Sequence, residues 1–489
     1  NGVALFSKKF NDPIDMSSQI VNKLANEILT TLKVKTTLNI MEEHIINAKA
    51  YEYYLRGKDV LKSYSDNRYL ISKELFEKSI KIDSTAILAK VYLSSVLFRL
   101  DKEKQSDTLI NKTFEQAQNL GYERGMAYAL LVLGNREKYN DNYSESFKLY
   151  NKSLSIFEDL NDQHGMFLSY QNLGLLSLAY GKYDNAIEFF EKEKNIAKHE
   201  DNQRGIAEAS SDIGWSFHLK GDDKKALEYL LYSLKIYEEI NYGWLPFDLN
   251  RIGLVYDSQG DYKKSIEYYN RCIEVAKESK VGNVSGYITD CIDSIADSYD
   301  LQCDYEKSLK YNMKSLSLYK NSSENNNIHA LGDYGYTSQI IGNIYYFMGI
   351  YDSSKYYYIA ALNSFEKVRQ GLNLQHQPHI DENLSDIADI MYYFGELEYE
   401  LGNYSDAIKY YKKTISIDRT IGSSPFYSML PFLGLNLSYR KLDQEYDVNK
   451  INSLREQVNF FELYIRESLH IQLRLYELLE EKSSLETAY

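Results

Sequence analysis

The feature that most constrains this chain is a motif that recurs seven times along it. In each copy a small residue is followed nine positions later by the residue that ends a short turn, in most copies a tyrosine. The pairs are Gly134/Tyr143, Gly174/Tyr183, Gly214/Asp223, Gly253/Tyr262, Ala296/Tyr305, Gly342/Tyr351 and Gly395/Tyr404. Self-similarity at a regular spacing is typical of repeat proteins, in which every unit packs mainly on its neighbours. The motif therefore predicts an array of similar units.

Each unit is predicted to contain two helices. Apolar residues recur at i, i+3, i+4 and i+7 on both sides of the turn, which indicates two amphipathic helices. The small residue in the first helix lets the second helix approach closely, and a glycine after the first helix can adopt a left-handed conformation. Small residues serve the same packing role in the second helix; they include Ala186, Ser265, Ser308 and Ala407. The chain is therefore expected to be all-α.

The spacing of the units points to a family. Successive turn positions from Tyr143 to Tyr404 are 40, 40, 39, 43, 46 and 53 residues apart. The register resembles the tetratricopeptide repeat family, whose usual unit has about 34 residues. The longer spacing places extra residues in the helices or in the loops. The resemblance implies an α-solenoid, a superhelix of about nine helix pairs, preceded by a short strand and helix and followed by capping helices.

Four regions are expected along the chain. Residues 1–46 are interpreted as the end of a truncated upstream domain with a linking helix, and residues 47–120 as repeat units of near-usual length. Residues 121–425 hold units of about 40 residues, and residues 426–489 hold C-terminal helices. Two interpretations of these helices stay open, a cap on the last repeat or a dimerising coiled coil. Both rest on an apolar stripe formed by Ile451, Leu454, Val458, Phe461, Ile465 and Leu469.

The N-terminal stretch differs from the repeats. Val3–Phe6 is a short apolar run that predicts a strand, and an apolar residue at every fourth position from Ile20 to Leu32 predicts an amphipathic helix. Together with the first repeat, this order resembles a junction in bacterial multidomain signalling proteins. The resemblance rests on Phe10, Asp12, Ile14, Gln19, Ile20, Leu32, Ala50, Tyr51, Tyr54, Leu55, Arg56, Gly57, Leu75, Phe76, Ile80 and Asp83. It implies an upstream class III adenylyl or guanylyl cyclase domain, or a winged-helix DNA-binding domain. Ser84 departs from the family, which commonly has proline there.

Composition excludes several classes of partner. A net charge of −14 lacks the basic footprint that nucleic acid or an anionic membrane surface requires. No apolar run approaches the roughly 18 residues of a membrane span. The three cysteines, Cys272, Cys291 and Cys303, are expected to be reduced thiols in the core of a cytoplasmic protein. The first residue is Asn1 rather than Met, and Asn1–Phe10 lacks the features of a signal peptide, so the chain is expected to be a piece of a longer polypeptide.

Catalytic signatures are missing where the sequence comes closest to them. The Gly-Lys pair in Leu55–Val60 lacks the upstream glycine of a phosphate-binding loop. In Gly282–Gly286 the serine stands one position too late for a nucleophile elbow. His376 and His379 have no set of metal-ligating residues beside them. The segment is therefore predicted to be no enzyme, and to need no cofactor and no metal.

The resemblance also implies where a partner would bind. In tetratricopeptide repeats the concave groove is lined by first-helix residues at fixed offsets from the small residue. Carried onto this sequence, that register selects a candidate groove of Asn135, Gln171, Trp215, Asn250, Asp290, Asp293, Asp297, Asp300, Gln339, Asn343, Tyr346, Tyr392 and Glu396. Over the whole register nine carboxylates face one cation, Lys138. The carboxylates are Glu208, Asp257, Asp290, Asp293, Asp297, Asp300, Asp389, Glu396 and Glu400.

These observations lead to a functional prediction. The chain is interpreted as a non-catalytic, protein-interacting regulatory region of a bacterial signalling protein, above all of a nucleotide cyclase. Its partner would be a cationic, extended or helical peptide, held by amide side chains such as Asn135 and Gln339 and by tyrosines. Three alternatives stay open: acids that are merely solvated, a standalone receptor or scaffold, and the repeat region of a winged-helix regulator. A homodimer is also left open.

Overall fold

The computed structural model describes residues 47–62, 67–240, 245–278, 284–323, 328–371, 377–422, 428–458, 471, 473–475 and 477–478. Within these residues every regular element is an α-helix, and consecutive helices pack on one another. The predicted fold class, an all-α solenoid, is confirmed for this part of the chain. The predicted strand and linking helix of residues 1–46 lie outside the described residues.

The helices form two compact units, one ending at Cys291 and one beginning at Ile292. The first unit holds α1 (Ala48–Lys62), α2 (Arg68–Ile82), α3 (Ile87–Arg99), α4 (Glu103–Asn119), α5 (Glu123–Tyr139), α6 (Tyr143–Asp159), α7 (Gln163–Ala179), α8 (Tyr183–His199), α9 (Gln203–Leu219), α10 (Asp223–Glu239), α11 (Leu245–Ser258) and α12 (Tyr262–Glu278). Helix α13 (Val284–Leu301) contains the boundary. The second unit continues with α14 (Tyr305–Ser323), α15 (Ile328–Phe347), α16 (Tyr351–Gly371), α17 (Gln377–Glu400), α18 (Tyr404–Ile421), α19 (Met429–Lys441) and α20 (Val448–Val458). Odd-numbered helices are the first helices of the pairs.

The long repeat period is explained by long helices. From α5 to α10 every helix has 17 residues. The turns between them are three residues each. The residues in excess of the usual unit therefore lengthen the helices and leave the turns short. Later units grow in the same way, with 20 residues in α15, 21 in α16 and 24 in α17.

The turns follow the predicted left-handed pattern. Gly181 and Gly221 adopt φ values of 67° and 88°, which side chains with a Cβ rarely tolerate. Asp141 and Cys303 take the same place in other units with φ of 57°. Some of the following helices are capped by an acceptor side chain, as where Asp162 accepts a hydrogen bond from the Gly165 backbone N–H at 3.1 Å. A short, specified turn thus sets the angle between paired helices.

Close approach within a pair depends on the small residues that define the motif. A methyl group added at Gly253 would lie 2.3 Å from the ring of Tyr269, and one added at Gly395 would lie 2.6 Å from the ring of Tyr411. The second helix also contacts the first through a hydrogen bond, which Ser146 Oγ donates to the Gly134 carbonyl at 2.9 Å. Glycine is therefore required because an aromatic ring of the second helix occupies the space of its side chain.

A second contact joins the helices of several pairs. A buried serine of the second helix donates a hydrogen bond to a main-chain carbonyl of the first. The bonds are Ser79 to Ala50, Ser153 to Ala127 and Ser233 to Ala207, each at 2.8 Å. Because buried hydroxyls need partners, these bonds fix the rotation of one helix against the other. The periodicity of the sequence does not reveal them.

The cysteine prediction is wrong in two respects. Cys272 of α12 and Cys291 of α13 form a disulfide within the first unit, and both are buried. The repeat places the end of one second helix beside the next first helix, which brings their Cα atoms to 6.7 Å. Cys303 lies exposed in the turn after α13 rather than in the core. The cysteines therefore give no argument for a reducing compartment.

The C-terminal part of the second unit has its own core. Met429, Leu433 and Leu437 of α19 pack with Ile451 of α20. Ile471, Leu475 and Leu478 join this core; the residues described at 471, 473–475 and 477–478 are called here the C-terminal segment. Of the predicted stripe, the side chains of Leu454, Val458, Phe461, Ile465 and Leu469 lie outside the described residues. None of the described helices combines the length and apolarity needed to cross a membrane.

Candidate functional site

Every residue of the candidate groove lies on a first helix. Asn135, Gln171, Trp215, Asn250 and Asp290 belong to the first compact unit, on α5, α7, α9, α11 and α13. Asp293, Asp297, Asp300, Gln339, Asn343, Tyr346, Tyr392 and Glu396 belong to the second, on α13, α15 and α17. The surface that the odd-numbered helices form within one unit is called here its first-helix face. The two faces are described separately.

Three of the candidate side chains are already held by tyrosines of the paired helix. The Tyr150 hydroxyl donates to Asn135 Oδ1 at 2.6 Å, and the Tyr358 hydroxyl donates to Asn343 Oδ1 at 2.8 Å. In the same way Tyr411 donates to Glu396 Oε1 at 2.6 Å. These acceptors therefore stabilise the packing of a helix pair. The side-chain oxygens of the two asparagines already accept a hydrogen bond, so they have less capacity to bind the main chain of a partner.

A sequence signal for these bonds exists, although the predicted register did not use it. The tyrosine stands sixteen residues after the small residue, and its acceptor stands one residue after that small residue. Where the second-helix position holds Phe190 or Leu230, the first-helix position holds the apolar Leu175 or Trp215 instead. The match is not general, because Leu254 stands at the first-helix position opposite Tyr269, and the Tyr269 hydroxyl donates instead to Asp257 Oδ2 at 2.8 Å.

In the first unit a half-buried cation was missed. Arg251 of α11 forms an ion pair with Asp212 at 2.9 Å, and its Nη1 donates to Ser211 Oγ at 2.8 Å. Its guanidinium carbon also lies 4.0 Å from the ring centroid of Phe247 and 5.3 Å from that of Trp215. Lys138 is therefore not the only cation of the first-helix face. Arg251 escaped the prediction because its helix position falls outside the register carried over from the family.

The first unit also holds two buried carboxylates. Asp248 is fully buried and accepts a hydrogen bond from Ser211 Oγ at 2.5 Å. Burial raises the pKa of Asp248 to about 6. Glu193 is fully buried as well, and Gln171 Nε2 donates to its Oε1 at 3.1 Å. Burial, with the negative charges of Asp212 and Glu208, raises the pKa of Glu193 well above its ordinary value. The side-chain amide of Gln171 therefore donates its hydrogen bond to a buried carboxylate of the protein itself.

In the second unit, acidic side chains gather around Tyr336. This tyrosine of α15 is 59% exposed. Partial burial raises the pKa of its hydroxyl first, and four nearby carboxylates raise it further. They are Asp297, Asp386, Asp293 and Asp389. Three of them belong to the predicted register, whereas Asp386 does not. The cluster around Tyr336 is therefore the place where the structure brings predicted acids together.

Two carboxylates of the Tyr336 cluster are poorly stabilised as anions. Desolvation by the surrounding protein raises the pKa of Asp389 to about 7, although the side chain remains exposed to solvent, and the charges of Asp386 and Asp418 add to this shift. Desolvation and the charge of Glu382 raise the pKa of Asp386 to about 6. Both acids would gain from a cation nearby, because an opposite charge favours the ionised form.

The acids of α13 lie in several different environments. Asp290 and Asp297 are exposed, and Asp300 is half-buried. Asp293 is half-buried and accepts a hydrogen bond from the Tyr319 hydroxyl at 2.8 Å. In the first unit Asn250 is half-buried. Within the described part of the chain no group of three His, Cys, Asp or Glu side chains could hold a metal ion.

Two predicted groove residues turn out to be buried. Gln339 is 8% exposed, so it packs inside the helix array. Glu396 is only 2% exposed and forms an ion pair with Arg474 at 2.6 Å. The expectation of a solvated carboxylate at Glu396 is therefore wrong. Arg474 belongs to the C-terminal segment, 78 residues away in sequence, so the spacing of residues along one helix could not predict this ion pair.

Comparison with known proteins identifies part of the array. Family models described as tetratricopeptide repeat match residues 165–239, 248–279 and 388–421. No curated protein sequence matches the chain.

Several solved structures share its general build at low sequence identity. The apo form of RapI is 16% identical, with 58% of this chain and 99% of that chain covered and a TM-score of 0.45. A Rap protein complexed with Competence and Sporulation Factor is 13% identical, with coverages of 76% and 99% and a TM-score of 0.47. A signal transduction ATPase with numerous domains and a tetratricopeptide repeat sensor, from Pyrococcus horikoshii, is 15% identical, with coverages of 90% and 55% and a TM-score of 0.44. The family matches identify residues 165–239, 248–279 and 388–421 as tetratricopeptide repeats.

Proposed function

We propose that this chain binds a protein or peptide partner on the first-helix face of its second unit, and that a cationic side chain of the partner enters the Tyr336 cluster. The observation that carries the proposal is the exposed ring of Tyr336 among four carboxylates. A lysine or arginine placed there would meet negative charge from α13 and α17 and an aromatic face from α15. Tetratricopeptide repeats are protein-interaction modules, which agrees with this role.

The acid–base behaviour of the cluster makes the proposal testable without knowing the partner. The pKa of Asp389 is raised to about 7 and that of Asp386 to about 6, so both lose protons as the pH rises through this range. A bound cation favours the ionised form, hence it lowers both pKa values and releases protons. Affinity for a cationic ligand should therefore rise between about pH 6 and about pH 8, which titration calorimetry in buffers of different ionisation enthalpy would measure.

The ligand can be found by selection from a phage-displayed random peptide library with the whole chain as the target. Enrichment of lysine or arginine would agree with the proposal. Selected peptides are then measured by fluorescence anisotropy against the Asp297→Lys/Asp389→Lys variant, where we expect affinity to fall at least about tenfold. A matched control is Glu306→Lys/Glu366→Lys, which changes the net charge equally at exposed positions on the second helices α14 and α16. Equal loss in both variants, or loss in neither, would contradict a site at Tyr336.

The wider role follows from the junction at the N-terminus. We propose that the array belongs to a cytoplasmic bacterial signalling protein in which partner binding regulates an upstream domain, with a class III nucleotide cyclase as the first candidate and a winged-helix regulator as the second. The support is the resemblance of residues 3–90 to such junctions. A standalone peptide receptor or scaffold is the alternative. The complete reading frame distinguishes them, because a cyclase domain, a winged helix or neither would precede residue 1.

A further inference from the structure

The C-terminal segment places an arginine on the first-helix face of the second unit. Arg474 is 6% exposed, and its Nη2 donates to Glu396 Oε2 at 2.6 Å. The guanidinium carbon lies 4.7 Å from the ring centroid of Tyr399. Glu396 and Tyr399 both belong to α17, the first helix of its pair. The guanidinium therefore occupies the kind of surface that the repeats offer to a partner.

The surroundings of this guanidinium resemble a recognition site for arginine. The carboxylate of Glu396 is held from its other side by the Tyr411 hydroxyl at 2.6 Å, so its orientation is fixed. The Tyr392 hydroxyl is buried beside this pair and has no hydrogen-bond partner among the described residues. The negative charge of Glu396 and the positive charge of Arg474 both act on the pKa of Tyr346, which places α15 beside the site as well. An oriented carboxylate and tyrosine faces suit a planar, stacking cation better than an ammonium ion.

Among the described residues, the segment that carries Arg474 makes two further sets of contacts. Ile471, Leu475 and Leu478 pack into the core of α19 and α20. Arg440 of α19 donates to the Glu477 carbonyl and, at 3.3 Å, to the Leu478 carbonyl. The pattern is one arginine with apolar residues three positions before it and one and four positions after it. An amphipathic helical peptide with the same pattern presents the same contacts.

We infer that the Glu396 site is an arginine-binding site of the partner-binding face, and that Arg474 fills it as an internal ligand. A partner that presents an arginine between apolar residues on a helix competes with the C-terminal segment for the site. Burying an ion pair costs desolvation that nearly offsets its attraction, so the segment is held mainly by its buried apolar residues and by its tether, and a partner with the same pattern competes for the same contacts. The inference rests on the proposed function, because it specifies the cationic group and adds a second anchor point for the same partner.

The test uses the full chain and a labelled peptide of residues 469–480, together with the same peptide carrying methionine in place of arginine. In the Arg474→Met variant the internal guanidinium is removed while most of the side chain remains. We expect this variant to bind the arginine peptide at least about tenfold more tightly than the unmodified chain does, because the internal competitor is gone. Glu396→Gln/Arg474→Met should lose that gain, and the methionine peptide should bind all variants equally weakly. Arg419→Met, at an exposed arginine of α18, is the matched control.

Two outcomes would overturn the inference. One is equal affinity of Arg474→Met and the unmodified chain for the arginine peptide, with both proteins folded by circular dichroism. If Arg474→Met does not fold, hydrogen exchange of the unmodified chain decides. Saturating arginine peptide must then lower the protection of residues 471–478, and unchanged protection contradicts displacement. If the Asp297→Lys/Asp389→Lys variant keeps its affinity, only the role of the Tyr336 cluster is contradicted. The experiments on Arg474 test the Glu396 site separately.

Discussion

At the scale of single residues, the repeats depend on the absence of side chains as much as on their presence. Gly253 and Gly395 stand where a ring of the paired helix fills the space that a Cβ would need. Gly332 of α15, by contrast, has no atom within 4 Å of the position of an added Cβ. Gly253 and Gly395 belong to the repeated motif and Gly332 does not, so the motif itself marks the glycines that determine packing.

This contrast gives a matched pair of substitutions. Gly253→Ala should lower the free energy of unfolding by about 1–3 kcal/mol, because the new methyl group would lie 2.3 Å from the Tyr269 ring and force helices apart. Gly332→Ala should raise it by up to about 1 kcal/mol, because alanine favours a helix interior more than glycine does. Urea unfolding followed by circular dichroism measures both. A loss of stability in Gly332→Ala would show that the helix is strained for another reason.

Asp248 gives a prediction about pH. Its pKa is raised from 3.8 to about 6 by burial, so between these values the folded protein binds more protons than the unfolded chain. The free energy of unfolding therefore falls as the pH rises through this window, by up to about 3 kcal/mol from this group. Asp248→Asn keeps an acceptor for Ser211 and removes the charge facing Asp212 and Arg251.

The measurement is the free energy of unfolding at about pH 4.5 and about pH 7.5 for both proteins. We expect the asparagine variant to be the more stable protein at the higher pH and to depend less on pH over this window. Parallel pH dependence in the two proteins would mean that Asp248 ionises normally in the folded state.

At the scale of elements, second helices do more than cover first helices. They supply the serines that bind first-helix carbonyls and the tyrosines that hold Asn135, Asn343 and Glu396. The C-terminal segment adds an element of another kind, because it reaches the first helix α17 through Arg474. Elements that are distant in sequence thereby share one polar network.

The attachment of the C-terminal segment can be measured by a double-mutant cycle. Glu396→Gln or Arg474→Met alone should cost about 3–5 kcal/mol of unfolding free energy, because each leaves a buried charge without its partner. The double variant should cost less than the sum of the two, because neither charge remains. Urea unfolding of the four proteins gives the coupling energy. Additive effects would indicate that the pair contributes no interaction energy of its own.

At the scale of the whole molecule, the chain consists of two compact units whose helices interact mainly with their neighbours in sequence. Repeat arrays of this kind unfold locally, since stability is a sum of unit and neighbour contributions. The two units are therefore expected to respond separately to substitutions.

Hydrogen exchange with mass spectrometry tests this expectation. Gly253→Ala should reduce protection around α11 and α12 and leave residues 377–422 unchanged, whereas Arg474→Met should reduce protection of α17 and α19 and leave residues 123–239 unchanged. The physical reason is that each substitution disturbs packing that is confined to one unit. Equal loss of protection in both units after either substitution would show that the array unfolds as one cooperative body.

Much of this architecture follows from local patterns. The spacing of Gly134, Gly174 and the residues equivalent to them determined the helix pairs, because close packing and a left-handed turn are needed at fixed distances along one hairpin. Such constraints act over less than one repeat, so they are visible in the sequence itself. The acidic residues of α13 and α17 could also be recognised in the sequence, because they recur at helical spacing within one helix.

Only the tertiary structure decided which charges meet. Arg251 pairs with Asp212 across 39 residues and Arg474 pairs with Glu396 across 78, so their partners depend on the curvature and length of the intervening helices. The same holds for Cys272 and Cys291, which are joined because one helix pair packs on the next. A periodic sequence specifies how each repeat folds. The distances between repeats arise from the sum of many small rotations, which no single motif encodes.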